Sequence, residues 1–373
     1  APDRISTSTL GTGTAGDITI AGTGSSPGNL TPASELYLTG GILATGSPQG
    51  GAAGSITIVA DETYLNGFGR VTASNSNGPA GNILIRTDLL SNNSERIISR
   101  GGSIATTTTG TADAGQITIE GLTDSGRIDL TRAGDFGEAP QSGPLVSSGS
   151  TGAGAAGSIV INMASIDLLS TTLSVGSSNV GGSGNIIINT DSLNLDNSLI
   201  EAQAANSAGG SVTVEASGML NMRDSVIRAS AQGLSGDDSG GNVGISGPDF
   251  VIMERSLIQA DANAGAGGNI LINTGALIQS AYSFITATSE SSIDGQVTVD
   301  ALNNITGTIV DIETPSSVVP EVEDARCAPQ RMDSRSSLIV DTVSPLTLAD
   351  TERAAGRALD TSLATAACTR TGI

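Results

Sequence analysis

The chain of 373 residues contains no histidine and no tryptophan, and its sixteen basic residues are all arginine. The absence of histidine excludes a Ser-His-Asp triad, a Cys-His dyad and a His-ligated zinc site. The absence of lysine excludes a Schiff-base lysine and the lysine of a phosphate-binding P-loop. Thirty-seven carboxylates give a net charge of −21, which repels phosphates and anionic membranes. We therefore expect no nucleic-acid partner.

Cysteine is almost absent as well, because Cys327 and Cys368 are the only two and both lie near the end. Such usage is typical of an exported protein, and we predict that the two form one disulfide. No run of 18 apolar residues is present that could span a membrane as a helix. No secretory signal opens the sequence at Ala1, so we expect a processed chain or a fragment.

A five-residue phrase recurs ten times: glycine, a small polar residue, and two β-branched residues separated by any residue. The copies are spaced by 38, 27, 34, 42, 27, 26, 31, 27 and 27 residues. They begin at Gly16, Gly54, Gly81, Gly115, Gly157, Gly184, Gly210, Gly241, Gly268 and Gly295. A modal spacing of 27 with longer gaps indicates a tandem repeat with loop insertions.

Each repeat holds three short segments in which apolar and polar residues alternate, a pattern typical of half-buried strands. In the repeat at Gly184 the apolar pairs are Ile186 and Ile188, Leu193 and Leu195, and Ile200 and Ala202. The pattern predicts an all-β fold, a parallel β-helix of about ten coils of about 27 residues, with an aliphatic bore. A leucine-rich-repeat horseshoe fits less well because its Leu/Asn consensus is missing.

The organisation of the chain follows from where this pattern ends. We predict the parallel β-helix over residues 1–310 and an extended linker with a possible last strand over 311–345. Residues 346–373 form a C-terminal tail whose spacing favours a helix, and which either caps the last coil or docks separately.

The repeat also predicts a register, because residues one repeat apart should lie side by side on paired strands. One predicted column contains Asp196, Arg223 and Glu254, and the next contains Asn197, Asp224 and Arg255. Glu201 should likewise lie beside Arg228. Opposite charges across paired strands favour this pairing.

The repeat phrases resemble those of filamentous-haemagglutinin-type exoproteins, most closely the cyanobacterial branch of two-partner-secretion proteins. The resemblance covers about residues 1–340 and is carried by the Gly-Asn-Ile-x-Ile phrase and the Ser-Leu-Ile-x-Ala segments at 198–202 and 256–260. Further matches are Gly-Thr-Ile at Gly307, Val318-Val319-Pro320, Cys327-Ala328-Pro329 and Ser336 to Val340. Asp341 to Pro345 departs from the Gly-rich segment that the family has there.

This resemblance implies a right-handed parallel β-helix that a partner outer-membrane barrel exports to the surface of a Gram-negative type cell or beyond it. It implies a fragment that lacks the family's N-terminal secretion domain. The implied role is adhesion or surface structure, with a carbohydrate or a protein surface as ligand. End-to-end self-association into a fibre is an alternative.

Catalysis is the main rival to this interpretation. Polysaccharide lyases and hydrolases built on β-helices use clustered aspartates with basic residues, often with calcium. Here the carboxylates are scattered, so we expect no enzyme and no cofactor. The densest pair, Asp237 and Asp238, is interpreted as part of a solvated loop, with a calcium ion as the alternative.

Inserted loops are the expected contact sites, because loops carry most binding residues. These loops are residues 22–34 and 133–144. The second contains Asp135, Phe136 and Glu138, which we select as candidate contact residues. The asparagines that follow the first strand, Asn162, Asn189 and Asn273, are expected to be solvent-facing corner residues, in a column interrupted by Glu215 and Ser246.

Overall fold

The structure, a computed structural model, describes residues 4–26, 28–92, 102–131 and 146–307. The chain divides into two compact units, Ala1–Asp311 and Ile312–Ile373, and all described residues lie in the first. Among them are 25 strands and no helix, and therefore no helix of the length and apolarity that crossing a membrane requires. The strands are β1 Arg4–Ser8, β2 Ile18–Ile20, β3 Ala33–Tyr37, β4 Ile42–Ser47, β5 Ile56–Tyr64, β6 Arg70–Asn75, β7 Ile83–Arg86, β8 Leu89–Ser91, β9 Ser103–Thr108, β10 Ile117–Glu120, β11 Arg127–Thr131, β12 Val146–Ser150, β13 Ile159–Asn162, β14 Ser165–Leu169, β15 Thr172–Ser177, β16 Ile186–Asp196, β17 Leu199–Ala204, β18 Val212–Arg223, β19 Val226–Arg228, β20 Val243–Ser246, β21 Phe250–Glu254, β22 Leu257–Gln259, β23 Ile270–Ser280, β24 Phe284–Thr286 and β25 Val297–Gly307.

The described strands form two sheets with parallel pairing. The first sheet has ten strands in the order β1-β4-β6-β9-β12-β15-β17-β19-β22-β24. The second sheet has 15 strands, and in it β13, β10, β7, β5, β8, β11, β14 and β16 pair in that order. Strand β16 pairs again with β13, so these eight strands close into a parallel barrel.

The predicted right-handed parallel β-helix is therefore wrong, because the second sheet is a closed barrel and the first is a flat parallel sheet. The closure follows from the length of two strands. Strand β5 pairs with both β7 and β8, and β16 pairs with both β13 and β14. Each continues through the point at which the sequence predicts a corner, so two predicted ladders join into one sheet.

The repeat phrase does mark where strands begin. In all ten copies a strand starts two residues after the glycine, at Ile18, Ile56, Ile83, Ile117, Ile159, Ile186, Val212, Val243, Ile270 and Val297. The glycine is required because successive repeats approach very closely there. A Cβ atom at Gly184 would overlap the carbonyl oxygen of Gly157, and the same overlap recurs at every later copy.

The predicted register is confirmed in the charged columns. Arg223 is the partner of Asp196 on one side and of Glu254 on the other. Its guanidinium lies 3.5 Å from the carboxylate of Asp196 and 3.6 Å from that of Glu254. Arg255 donates two hydrogen bonds, of 2.7 and 2.9 Å, to Asp224. This pairing holds the pKa of the Asp224 carboxyl below its usual range.

One member of the predicted register has a different side-chain partner. The backbones of Glu201 and Arg228 pair as expected. The Nε atom of Arg228, however, donates to Oε1 of Gln259 at 2.9 Å. Glu201 accepts a hydrogen bond of 3.1 Å from the hydroxyl of Ser174. The register is therefore correct there, while each of the two charged groups is hydrogen-bonded to a neutral side chain in place of the predicted ion pair.

The core is a single cluster of aliphatic side chains that runs through all the repeats. The six apolar residues selected in the repeat at Gly184 have relative exposures of 0–1%. Burial of each of the isoleucine and leucine side chains among them stabilises the fold by about 1.5–3 kcal/mol. The predicted inward positions are therefore confirmed.

A row of residues with left-handed backbone fixes the connection between the strands of the second sheet and the flat first sheet. Ser170, Asn197, Asp224 and Arg255 occupy equivalent positions and have φ angles of 48–52°, in the left-handed region. The next residue in each repeat is a buried serine or threonine. The backbone N–H of Ser198, for example, donates to the hydroxyl of Ser225 at 3.0 Å. These hydroxyls satisfy backbone groups that the sharp bend would leave unpaired.

Candidate functional site

The connections between the first and second segments of the repeats differ in length. We count the residues between the last paired residue of the first segment and the first paired residue of the second. The connection after Glu120 has six such residues, whereas those after Asn162 and Asn189 have two. The connections after Glu215 and Ser246 have three. The two short connections are thus flanked by longer ones on both sides, which leaves a recess above them.

This recess is a groove of about 870 Å³, lined by both short connections and by their longer neighbours. Met163, Ala164 and Thr190 belong to the short connections, and Leu122 and Ala216 to the longer ones. A volume of this size lies within the range of small-ligand sites. We take the groove as the candidate functional site.

A column of polar side chains runs along the groove. Glu120, Asn162, Asn189, Glu215 and Ser246 are successive partners in register. Nδ2 of Asn189 donates to Oδ1 of Asn162 at 2.7 Å. Oδ1 of Asn189 is buried and accepts no hydrogen bond, and its neighbour on the other side is the acceptor Glu215. The expectation of solvent-facing asparagines is confirmed for Asn273, which is exposed, and is wrong for Asn162 and Asn189, which are half-buried and joined by this hydrogen bond along the column.

Two of the carboxylates at the groove already have partners. Oε1 of Glu120 lies 2.8 Å from Nε of Arg86, which belongs to the preceding repeat. Oδ1 of Asp191 accepts a hydrogen bond of 2.7 Å from the hydroxyl of Ser217. No arginine is among the described residues that line the groove. The groove is therefore acidic and presents mainly hydrogen-bond acceptors.

The two glutamates of the column are too far apart to act as a catalytic pair. Glu120 and Glu215 are separated by three strand steps, which corresponds to about 14 Å. Glycoside hydrolases hold their two carboxyl groups about 5–9.5 Å apart. These two groups can bind a ligand at separate points, but they cannot flank one glycosidic bond.

The six-residue connection that forms one wall is held in place by the repeat before it. The backbone N–H of Thr123 donates to Oδ1 of Asp88 at 2.7 Å, and its hydroxyl donates to the same atom at 3.0 Å. Within the connection, the N–H of Gly126 donates to the carbonyl of Thr123. The wall is thus anchored rather than free to collapse into the groove.

The Asp237–Asp238 pair lies in a loop between β19 and β20, away from the groove. The carboxylate of Asp238 is mostly buried and accepts a hydrogen bond of 2.9 Å from the backbone N–H of Ser235. Asp237 is exposed. Within the described ranges no group of three or more metal-ligating side chains comes together. The Asp238 carboxylate closes the loop that contains it.

A stacked pair of tyrosines lies on another face, between β3 and β5. The rings of Tyr37 and Tyr64 are 4.7 Å apart and nearly parallel. The hydroxyl of Tyr64 donates to Oε2 of Glu62 at 2.7 Å, and this hydrogen bond raises the pKa of Tyr64 well above its usual value. In register with Glu62 lies Glu35, so the stack is flanked by two carboxylates.

The other candidate residues lie outside the described residues. These are the predicted disulfide partners Cys327 and Cys368, and the predicted contact residues Asp135, Phe136 and Glu138. The loop at 22–34 is described in part and closes on itself. The N–H of Gly22 donates to the carbonyl of Thr31 at 2.8 Å.

Comparisons of the chain with protein-family models, with curated proteins and with solved structures find no match. The groove therefore has to be interpreted from its own geometry.

Proposed function

We propose that the chain is a non-catalytic binding segment of an extracellular adhesin or surface fibre. The observation that carries this proposal is the groove. It offers amides and hydroxyls to a ligand, and the two glutamates of its polar column are about 14 Å apart. These two glutamates can hold a ligand at separate points, but they are too far apart to act together on one bond.

The scaffold supports a display role. A single aliphatic core and continuous parallel pairing connect the repeats from β1 to β25. Variation between repeats is concentrated in their connections, such as the six-residue one beside the groove. A rigid frame with variable connections presents fixed contact points, and binding residues commonly lie on such connections.

The proposed export and location of the chain rest on its resemblance to two-partner-secretion exoproteins. On that basis the chain reaches the cell surface or the medium of a Gram-negative type cell through a partner outer-membrane barrel. The net charge of −21 is consistent with a ligand other than nucleic acid.

Adhesion of the purified chain tests this function. Beads carrying the chain should adhere to surfaces coated with polysaccharide, with extracellular protein or with whole bacteria, and beads carrying the heat-denatured chain should not. The released products are assayed in parallel for new reducing ends and for unsaturated sugars. Adhesion without product supports the proposal, whereas adhesion to none of the surfaces, or product formation, contradicts it.

A further inference from the structure

We propose that the groove over the two short connections binds a neutral carbohydrate chain. This inference rests on the proposed adhesive function and assigns its ligand class and site. The ligand would lie along the polar column and contact Asn162, Asn189 and Glu215. The ligand would extend across both short connections. These lie one strand spacing apart, which is about 4.8 Å.

The charge of the groove excludes anionic polymers. Four carboxylates line it, those of Glu120, Asp124, Asp191 and Glu215. No arginine is found among its described lining residues, and the chain has no lysine. These carboxylates would repel a sulfated glycan, a polyuronate or a nucleic acid.

The polar column of the groove favours a ligand that donates hydrogen bonds. Beside Asn189 in the column lies Glu215, whose side chain is exposed and offers only acceptors when ionised. Oδ1 of Asn189 is enclosed and out of a ligand's reach. A ligand hydroxyl can donate to the Glu215 carboxylate at the open face of the groove.

The centre of the groove favours a polyol over a basic peptide. The middle of the column consists of two neutral amides, and the connections beneath contribute Met163 and Ala164. The carboxylate of Glu120 is already paired with Arg86. Sugar rings present apolar C–H faces and hydroxyls together, which matches a lining of this mixed kind better than a string of cations does.

Affinity electrophoresis with three variants tests the proposal. The full chain is run in native gels that contain a neutral β-glucan, a neutral galactomannan or polygalacturonate. Asn189→Leu removes the amide, Ala164→Gln fills the groove, and Asn273→Leu is the matched control. Asn273 belongs to the same column but lies outside the groove. Circular dichroism and thermal unfolding establish that each variant is folded.

At least one neutral polysaccharide should retard the wild-type chain, and polygalacturonate should not. The dissociation constant should rise about tenfold in Asn189→Leu and Ala164→Gln, which corresponds to one or two lost hydrogen bonds. It should change less than about twofold in Asn273→Leu.

Other results overturn the proposal in distinguishable ways. Equal retardation of all variants would place the binding site elsewhere and leave the adhesive function standing. Retardation by no neutral polysaccharide, with tight binding of an oligo-arginine peptide that Asn189→Leu weakens, would replace carbohydrate by a basic protein segment. A chain that fails both this test and the bead assay would remove the proposed function as well.

Discussion

The glycines that begin the repeated five-residue phrase provide the sharpest test of the packing between repeats. A methyl group at position 184 would overlap the carbonyl oxygen of Gly157 in the neighbouring repeat. The two glycines lie between backbone hydrogen bonds that join their repeats, from the N–H of Ala156 to the carbonyl of Gly182 and from the N–H of Ile159 to the carbonyl of Asn185, so neither can move aside without straining this pairing. Overpacking of this kind costs about 1–3 kcal/mol and sometimes more. We expect Gly184→Ala to destabilise the chain by about 3 kcal/mol, and to lower the melting temperature by about 5 °C.

The matched control lies two residues earlier in the same repeat. A methyl group at Gly182 would have no heavy atom within 4 Å, and the backbone there is not in the left-handed region. Thermal unfolding of the wild type, Gly184→Ala and Gly182→Ala is followed by circular dichroism. If Gly184→Ala melts within about 1 °C of the control, the close approach of successive repeats is refuted.

Three further predictions follow from the charges and the cysteines. Arg223→Glu gives the column of Asp196 and Glu254 three acidic side chains. Urea denaturation at low salt should show a free energy of unfolding lower by about 1 kcal/mol, and the loss should be smaller at 1 M salt. A loss that does not depend on salt would contradict this prediction. The pKa of Asp224 is lowered by Arg255, so its contribution to stability is present above the ordinary pKa of an aspartate and is lost as the pH falls through the lowered value. The wild type should therefore lose more stability than Arg255→Met between about pH 5 and pH 2, and equal losses would disprove the linkage. The two cysteines are predicted to be joined, so alkylation of the unreduced, denatured chain should leave both unmodified by mass spectrometry, whereas two alkylated cysteines would exclude the disulfide.

The repeat pattern predicted where the first strand of each repeat begins and the register of the charged columns. The glycine is dictated by the close approach of neighbouring repeats, and the two β-branched residues after it both point into the core, with the residue between them pointing out. Because a register shift of one residue would expose the whole inward set, the pairing of Asp196, Arg223 and Glu254 followed directly from the spacing.

The closure of the second sheet could not be predicted in the same way. In β16 the residues Asn189 to Ser192 carry the polar composition of a corner, yet the strand continues through them. Strand continuity there depends on pairing with both neighbouring repeats, and a register shift between Thr190 and Ser192 absorbs the irregularity. Local composition indicates a bend, but the neighbouring strands decide whether pairing stops.

The groove could not be predicted from the sequence, because the spacing between two repeat glycines gives only the sum of the insertions in that repeat. The spacing of 42 residues between Gly115 and Gly157 contains both the lengthened connection after Glu120 and the loop at 133–144. Only the strand register shows that the connection after Glu120 is four residues longer than a short connection. The partner of Arg228 was missed for a related reason, because Glu201 and Gln259 flank it equally and the choice depends on side-chain geometry.

Binding without catalysis is tested most directly when both are measured on the same sample. A neutral polysaccharide that retards the chain is incubated with it for a day and analysed by size-exclusion chromatography with light scattering. We expect the chain to co-elute with the polymer and the molar mass of the polymer, measured after the protein is removed, to be unchanged. A polymer that becomes shorter would show that the chain cleaves it, and would contradict binding without chemistry.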